Sequence, residues 1–253
     1  MSSTLIALLV FLGCISAAAI GMFLHAKLPN RHFDGDSKDT MKLVMGLIAT
    51  LAALVLSLLV ASAKNSYDTQ GTELQQLSTQ IVQLDQMLAL YGPETQELRH
   101  ILRQALITGH ERIWPAGDGQ PANLDPAAGR AAANVFYAKL QNLTPKTEAQ
   151  TRIQSAAWQS ASSLLQVRML MYEQVRQPIA WQLLAILIFW VSVLFLGFGL
   201  FSQFHLTLGV TLAVGALSVA SAIFLILEMN QPYAGWMRLS DAPFRSAIAA
   251  IGQ

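Results

Sequence analysis

The chain has 253 residues, of which 53% are hydrophobic and only 12% charged, about half the charged share of soluble globular domains. Lipid is therefore the solvent for much of it, and Lys plus Arg at 16 against Asp plus Glu at 15 removes the basic excess on which nucleic-acid binding depends. The single cysteine, Cys14, excludes an intrachain disulfide and a cysteine-based metal site.

Four stretches carry no ionisable residue: 4–24, 43–63, 179–201 and 206–227. At about 1.5 Å per helical residue each spans roughly 31–35 Å, enough to cross a hydrocarbon core of about 30 Å. The first lacks the basic start of a signal peptide and is too long for its apolar region, and Phe11-Leu12-Gly13-Cys14 resembles a lipoprotein cleavage site only faintly. All four are read as transmembrane helices. A polar connector, 25–42, holding Pro29 and the run Asp34-Gly35-Asp36-Ser37-Lys38-Asp39, joins the first two. Ser202-Gln203-Phe204-His205 closes the last two into an antiparallel hairpin. The expected fold is an all-α membrane protein: a first hairpin over 1–63, a helical water-facing domain over 64–178, a second hairpin over 179–228 and a tail over 229–253.

Nothing that stops a helix separates span two from the domain, so residues 43–90 form one rod of roughly 72 Å. Beyond the membrane its apolar positions are Leu74, Leu77, Ile81, Leu84 and Leu88. This 3-4-3-4 spacing is a seam that packs on other helices, within or between subunits. Tyr91-Gly92-Pro93-Glu94 breaks the rod, with Gly ending one helix and Pro opening the next. Helices follow over 93–113, near 127–140, and from about 147 towards Pro178, the last with Ile153, Ala157, Ser160, Leu164, Val167 and Met171 at heptad spacing. Trp114-Pro115 and the Gly/Pro-rich stretch 116–126 form a loop. In the tail, Asp241 is placed to cap a short helix whose Phe244, Ile248 and Ile251 share a face.

No phosphate loop, metal-binding His pair or nucleophile motif is present, so neither an enzyme nor a cofactor nor a metal site is expected. His25, His32, His100, His110 and His205 are dispersed. Asp34, Asp36 and Asp39 miss the calcium-loop spacing and its closing Glu. Span two is the most informative stretch. Gly46, Thr50, Ala53, Ser57, Val60 and Lys64 form a stripe of mostly small or hydroxylated residues, opposite Val44, Ile48, Leu51, Val55 and Leu58. A small stripe in a membrane serves close helix packing or lines a pore. Lys42 and Lys64 bracket the span and would form positive rings at both mouths, favouring anions. Lysines at helix ends also snorkel to headgroups without further role. Span three is aromatic, with Trp181 suited to the interface. Span four carries a small face, Gly209, Gly215, Ser218 and Ser221, and ends on Glu228. Basic residues near the span ends number four on one side and five on the other, which sets no orientation.

Leu28-Pro29-Asn30-Arg31-His32, Lys42-Leu43, the run Gly46 through Leu56, Ala61-Ser62-Ala63-Lys64, Ser66-Tyr67-Asp68, Tyr91-Gly92-Pro93-Glu94, Arg112-Ile113-Trp114-Pro115 and Pro232-Tyr233-Ala234-Gly235 together resemble the bacterial bestrophin-like domain family of membrane proteins. The resemblance leads on to bestrophins, homopentameric anion channels with four spans per subunit, a pore lined by span two and long helices forming a cytoplasmic vestibule. It implies a homo-oligomer in the bacterial inner membrane, pentamer preferred, with termini and middle domain cytoplasmic. Its partners would be the lipid bilayer, further copies of the chain and small inorganic anions. Span two has no Phe where the bestrophin neck is often aromatic, and no acidic cluster matches the animal calcium clasp. An anion-selective channel is the first expectation. A membrane sensor or scaffold whose helical domain binds a ligand or partner is the second.

Overall fold

The computed structural model describes residues 2–27, 35–115, 129–176, 181–201 and 205–251. Pro29, Arg31, His32, Asp34, the loop 116–126, Pro178 and Ser202-Gln203-Phe204 lie outside these, as do the side chains of Asp36 and Lys38. Among the described residues all regular structure is helical: α1 (Ser3–Lys27), α2 (Gly35–Tyr91), α3 (Gln96–Ile113), α4 (Arg130–Gln141), α5 (Glu148–Arg176), α6 (Trp181–Leu200), α7 (Leu206–Met229) and α8 (Ala242–Ala250), with a 3-10 turn at Pro93–Thr95. Helices α1, α2, α6 and α7 are long and apolar enough to cross a membrane. The protein is a multi-pass membrane protein. The chain divides into two compact units, Met1–Asn65 with Pro178–Asn230, and Ser66–Gln177 with Gln231–Gln253.

In the first unit α1 packs against both α6 and α7. Its inward line, Val10, Cys14, Ala18 and Gly21, recurs at helical spacing and is buried. Small side chains there let backbones approach, the main source of helix association in lipid, where apolar burial contributes nothing between helices. Glycine is required at two points. A methyl on Gly21 would overlap the Leu196 carbonyl oxygen, and one on Gly199 would overlap that of Ala18. Each helix thus carries a glycine where the other's backbone comes closest. On α7 the buried small residues are Ala216 and Ala220. Ser218 and Ser221, on the small face of span four, are exposed, and their hydroxyls donate to the carbonyls of Val214 at 2.9 Å and Leu217 at 2.7 Å. Glu228, at the end of α7, is buried.

The second unit is built on the lower half of α2. Leu74, Leu77, Ile81, Leu84 and Leu88 all enter one core with Leu98, Leu102 and Leu106 of α3, Phe136 and Leu140 of α4, and Ala157, Ala161 and Met171 of α5. The seam is satisfied within its own chain. The reversal from α2 to α3 turns on Gly92, whose φ of 134° is a conformation that a Cβ would oppose. Thr95, fully buried, turns its hydroxyl to the Leu88 and Gly92 carbonyls at the end of α2. Gln150 donates to the Tyr91 carbonyl at 3.1 Å, so the helix end is capped by side chains from α5 and the turn. Asp85 and Arg99 then clamp α2 to α3 through two parallel bonds of 2.8 Å. The tail joins this unit. His110 meets Asp241 at 3.0 Å, the Trp114 indole donates to the Leu239 carbonyl at 3.1 Å, and Trp114 packs on Phe244. Asp241 stands at the N-cap of α8 but makes no capping bond, because its carboxylate is engaged by His110 and Arg245.

Candidate functional site

The sequence-derived site lies on the upper half of α2, and the structure resolves that half into three faces. Ala52, Leu59 and Ala63 form a buried line within the subunit. Met45 adds to it by reaching Gly197 of α6, where a methyl would stand 2.7 Å from the Met45 thioether. Leu43, Val44, Leu47, Leu51, Leu54 and Leu58 form an exposed aliphatic face, suited to lipid. Gly46, Thr50, Ala53 and Ser57 form a second exposed face, with Val60 half-buried at its edge. At ~100° per residue these two exposed faces are centred roughly 110° apart around the axis.

The small face is therefore not the surface that packs inside the subunit. Nothing stands within 4 Å of a methyl placed on Gly46. The Thr50 hydroxyl donates to the Gly46 carbonyl at 2.9 Å, which settles its proton on its own backbone and leaves only lone pairs to face outward. Of the opposite set, Val44, Leu51 and Leu58 are exposed whereas Ile48 and Val55 are half-buried. Lys42 is exposed and paired with Asp39 at 3.0 Å, so part of its charge is offset. Lys64 is exposed one turn beyond Val60. The line Ala52–Leu59–Ala63 escaped sequence reasoning because alanine and leucine fit lipid and protein equally, and hydropathy does not tell the two solvents apart.

The second unit contains a cavity of about 560 Å³ among α2, α3, α4 and α5, with Tyr233 and Phe244 from the tail segment. Its walls are mainly aliphatic and aromatic, with Arg112, Arg168 and His100 as the ionisable nitrogen groups. Sequence reasoning missed it. The one available signal was Arg168, a cation four residues after Leu164 and three before Met171 on the apolar stripe of α5. No group of three or more His, Cys, Asp or Glu side chains placed to hold a metal occurs among the described residues.

A family model for the bestrophin-like domain matches residues 12–244, nearly the whole chain. The chain belongs to the bestrophin-like domain family. No curated protein and no solved structure matches it. This bestrophin-like chain thus combines four membrane-type helices with a helical unit that carries its own core, and α2 contributes to both.

Proposed function

We propose that the chain assembles as a symmetric homo-oligomer, with five copies on the family analogy, and conducts small inorganic anions along a path lined by Gly46, Thr50, Ala53, Ser57 and Val60. One observation supports this reading above others. The small face of α2 is exposed in the subunit although helix packing is the usual use of such a stripe. Copies arranged around an axis would turn that face inward and leave the leucine face to lipid. The middle of the path would be apolar and narrow, a constriction that gates by dewetting. No carboxylate lies on the stripe between Lys42 and Lys64, which favours anions. Lys64 would set the charge at the mouth on the side of the helical domain, which in this reading faces the cytoplasm across a bacterial inner membrane.

Planar-bilayer recording under a chloride gradient tests this. Lys64→Glu reverses one charge per subunit and should move the reversal potential towards cations. Ala53→Phe should abolish current in a protein that still elutes as an oligomer. An unchanged reversal potential in a conducting Lys64→Glu protein would remove the role given to this lysine. A folded monomer in mild detergent would remove the channel itself.

The cavity in the second unit favours a second reading, a sensor or scaffold whose helical domain takes a ligand. Topology separates the two. In a Cys14→Ser background, a membrane-impermeant thiol reagent on intact cells should label Cys introduced at His205 and not at Lys146. The reverse pattern would put the domain outside and shift weight to sensing.

A further inference from the structure

We propose that the cavity of the second unit binds a single-chain amphipathic anion, a long-chain carboxylate, with its head group at Arg168 and its chain along the apolar walls. At about 560 Å³ the cavity falls in the middle of the range that small-molecule sites occupy, about 300–1,000 Å³. Its walls along α2 and α3 are Leu77, Ile81, Leu84, Leu102 and Leu106, continued by Phe136 of α4. An all-apolar ligand would satisfy those walls and nothing else.

The polar lining specifies the rest. Among the described residues two guanidinium groups and an imidazole line the cavity and no carboxylate does. Arg168 is half-buried, its guanidinium lying against the backbone of Gly129, where a methyl would stand 2.8 Å from Cζ. The same group lies 5.5 Å from the centroid of the Tyr172 ring. No carboxylate among the described residues forms an ion pair with it. A partly desolvated cation of this kind gains from an anion brought to it, and guanidinium matches a carboxylate with two parallel bonds.

Tyr233 is the independent observation. It lines the cavity, is 3% exposed, and its hydroxyl has no hydrogen-bond partner among the described residues. Burial, with the nearby Glu73 carboxylate and Tyr172 phenol, holds the Tyr233 proton well above the usual phenol range. It is therefore a neutral donor in the cavity lining, without an acceptor among the described residues. Tyr172 neighbours both Tyr233 and Arg168, and all three line the cavity. A carboxylate head has the charge for Arg168 and a lone pair for Tyr233, while its chain replaces water along the leucines.

The test is native mass spectrometry of the full chain in a non-ionic detergent, titrated with dodecanoate and, separately, dodecanol. The expected result is a saturable dodecanoate adduct, one per subunit, bound about tenfold or more tightly than dodecanol. Arg168→Gln should erase that preference, and Tyr233→Phe should weaken dodecanoate about threefold. Ala132→Phe, which fills the cavity from α4, should remove the adduct while the oligomer and its helical circular dichroism persist. Three results would overturn the proposal. One is equal binding of dodecanoate and dodecanol. Another is dodecanoate binding unaffected by both Arg168→Gln and Ala132→Phe, which would mean adsorption to the membrane-facing surface. The last is a cross-link from residues 116–128 of the same chain to the cavity wall that dodecanoate does not compete away, which would make the occupant the chain itself.

Discussion

The two halves of α2 meet opposite conditions with nearly the same chemistry. From residue 66 onward its seam leucines are consumed: Leu84 is 1% exposed in a core supplied wholly by its own chain. Before residue 66 most of the same residue type stands bare, with Leu54 64% exposed, while Ala52, Leu59 and Ala63 turn inward. In water an exposed leucine row would be a liability of several kcal/mol; in lipid it costs nothing. One helix therefore carries a buried core at one end and a lipid-compatible surface at the other. What is left over on the upper half is the small face, which neither lipid contact nor packing inside the subunit explains.

The sharpest way to break this contrast is to make one substitution in both halves. Leu84→Ala should destabilise the second unit by about 2–5 kcal/mol, the cost of a core cavity. Leu54→Ala should change stability by less than about 0.5 kcal/mol. Chemical denaturation in detergent, followed by tryptophan fluorescence, measures both. Equal effects would mean that the exposed leucines are already packed in a way the subunit does not show.

Next in size is the clamp. Arg99→Met leaves Asp85 buried without its bidentate partner and should cost about 2–3 kcal/mol, seen as faster hydrogen exchange at the α2–α3 corner. Asp85→Asn with Arg99→Met should recover part of it, since an amide is cheaper to strand than a carboxylate. In the membrane unit, Gly199→Ala should cost about 1–3 kcal/mol through overpacking against the Ala18 carbonyl, while Gly209→Ala, with open space around it, should be tolerated.

The smallest effect is in the tail. The hydrogen bond from His110, aided by Arg245, holds the Asp241 carboxyl below its usual range. The unfolded chain therefore takes up this proton first. The stabilisation is complete above the unfolded value, near pH 4, and is lost as pH falls through the folded one. Trp114 fluorescence, reporting the docked tail, should decline on that acid limb, and Asp241→Asn should flatten it.

Much of this was legible because its cause is periodic. Ionisable residues are absent where lipid is the solvent, and the 3-4-3-4 seam names every α2 residue of the second core. Tyr91-Gly92-Pro93 marks its corner because only glycine is at ease at that φ. Other features depend on residues far apart in sequence. Thr95 reads as a surface residue until the carbonyls of α2 come down on it. Asp241 reads as a cap until His110, 131 positions away, claims its carboxylate. Periodicity identifies the inward face of the tail helix through Phe244 but not its partner, Trp114. The cavity is the extreme case, since space between helices has no sequence signature and only Arg168, a cation beside an apolar stripe, hints at it.

The proposed pore depends on which face of α2 meets water in the assembled protein. Single cysteines in a Cys14→Ser background, reconstituted in liposomes and exposed to a charged methanethiosulfonate reagent, measure it. The prediction is fast modification at Gly46, Thr50, Ala53 and Ser57, slowed by permeant anions, with none at Leu47, Leu54 or Leu58. Modification of the leucine positions with protection of the small face would show that copies pack through the stripe, and would contradict the pore.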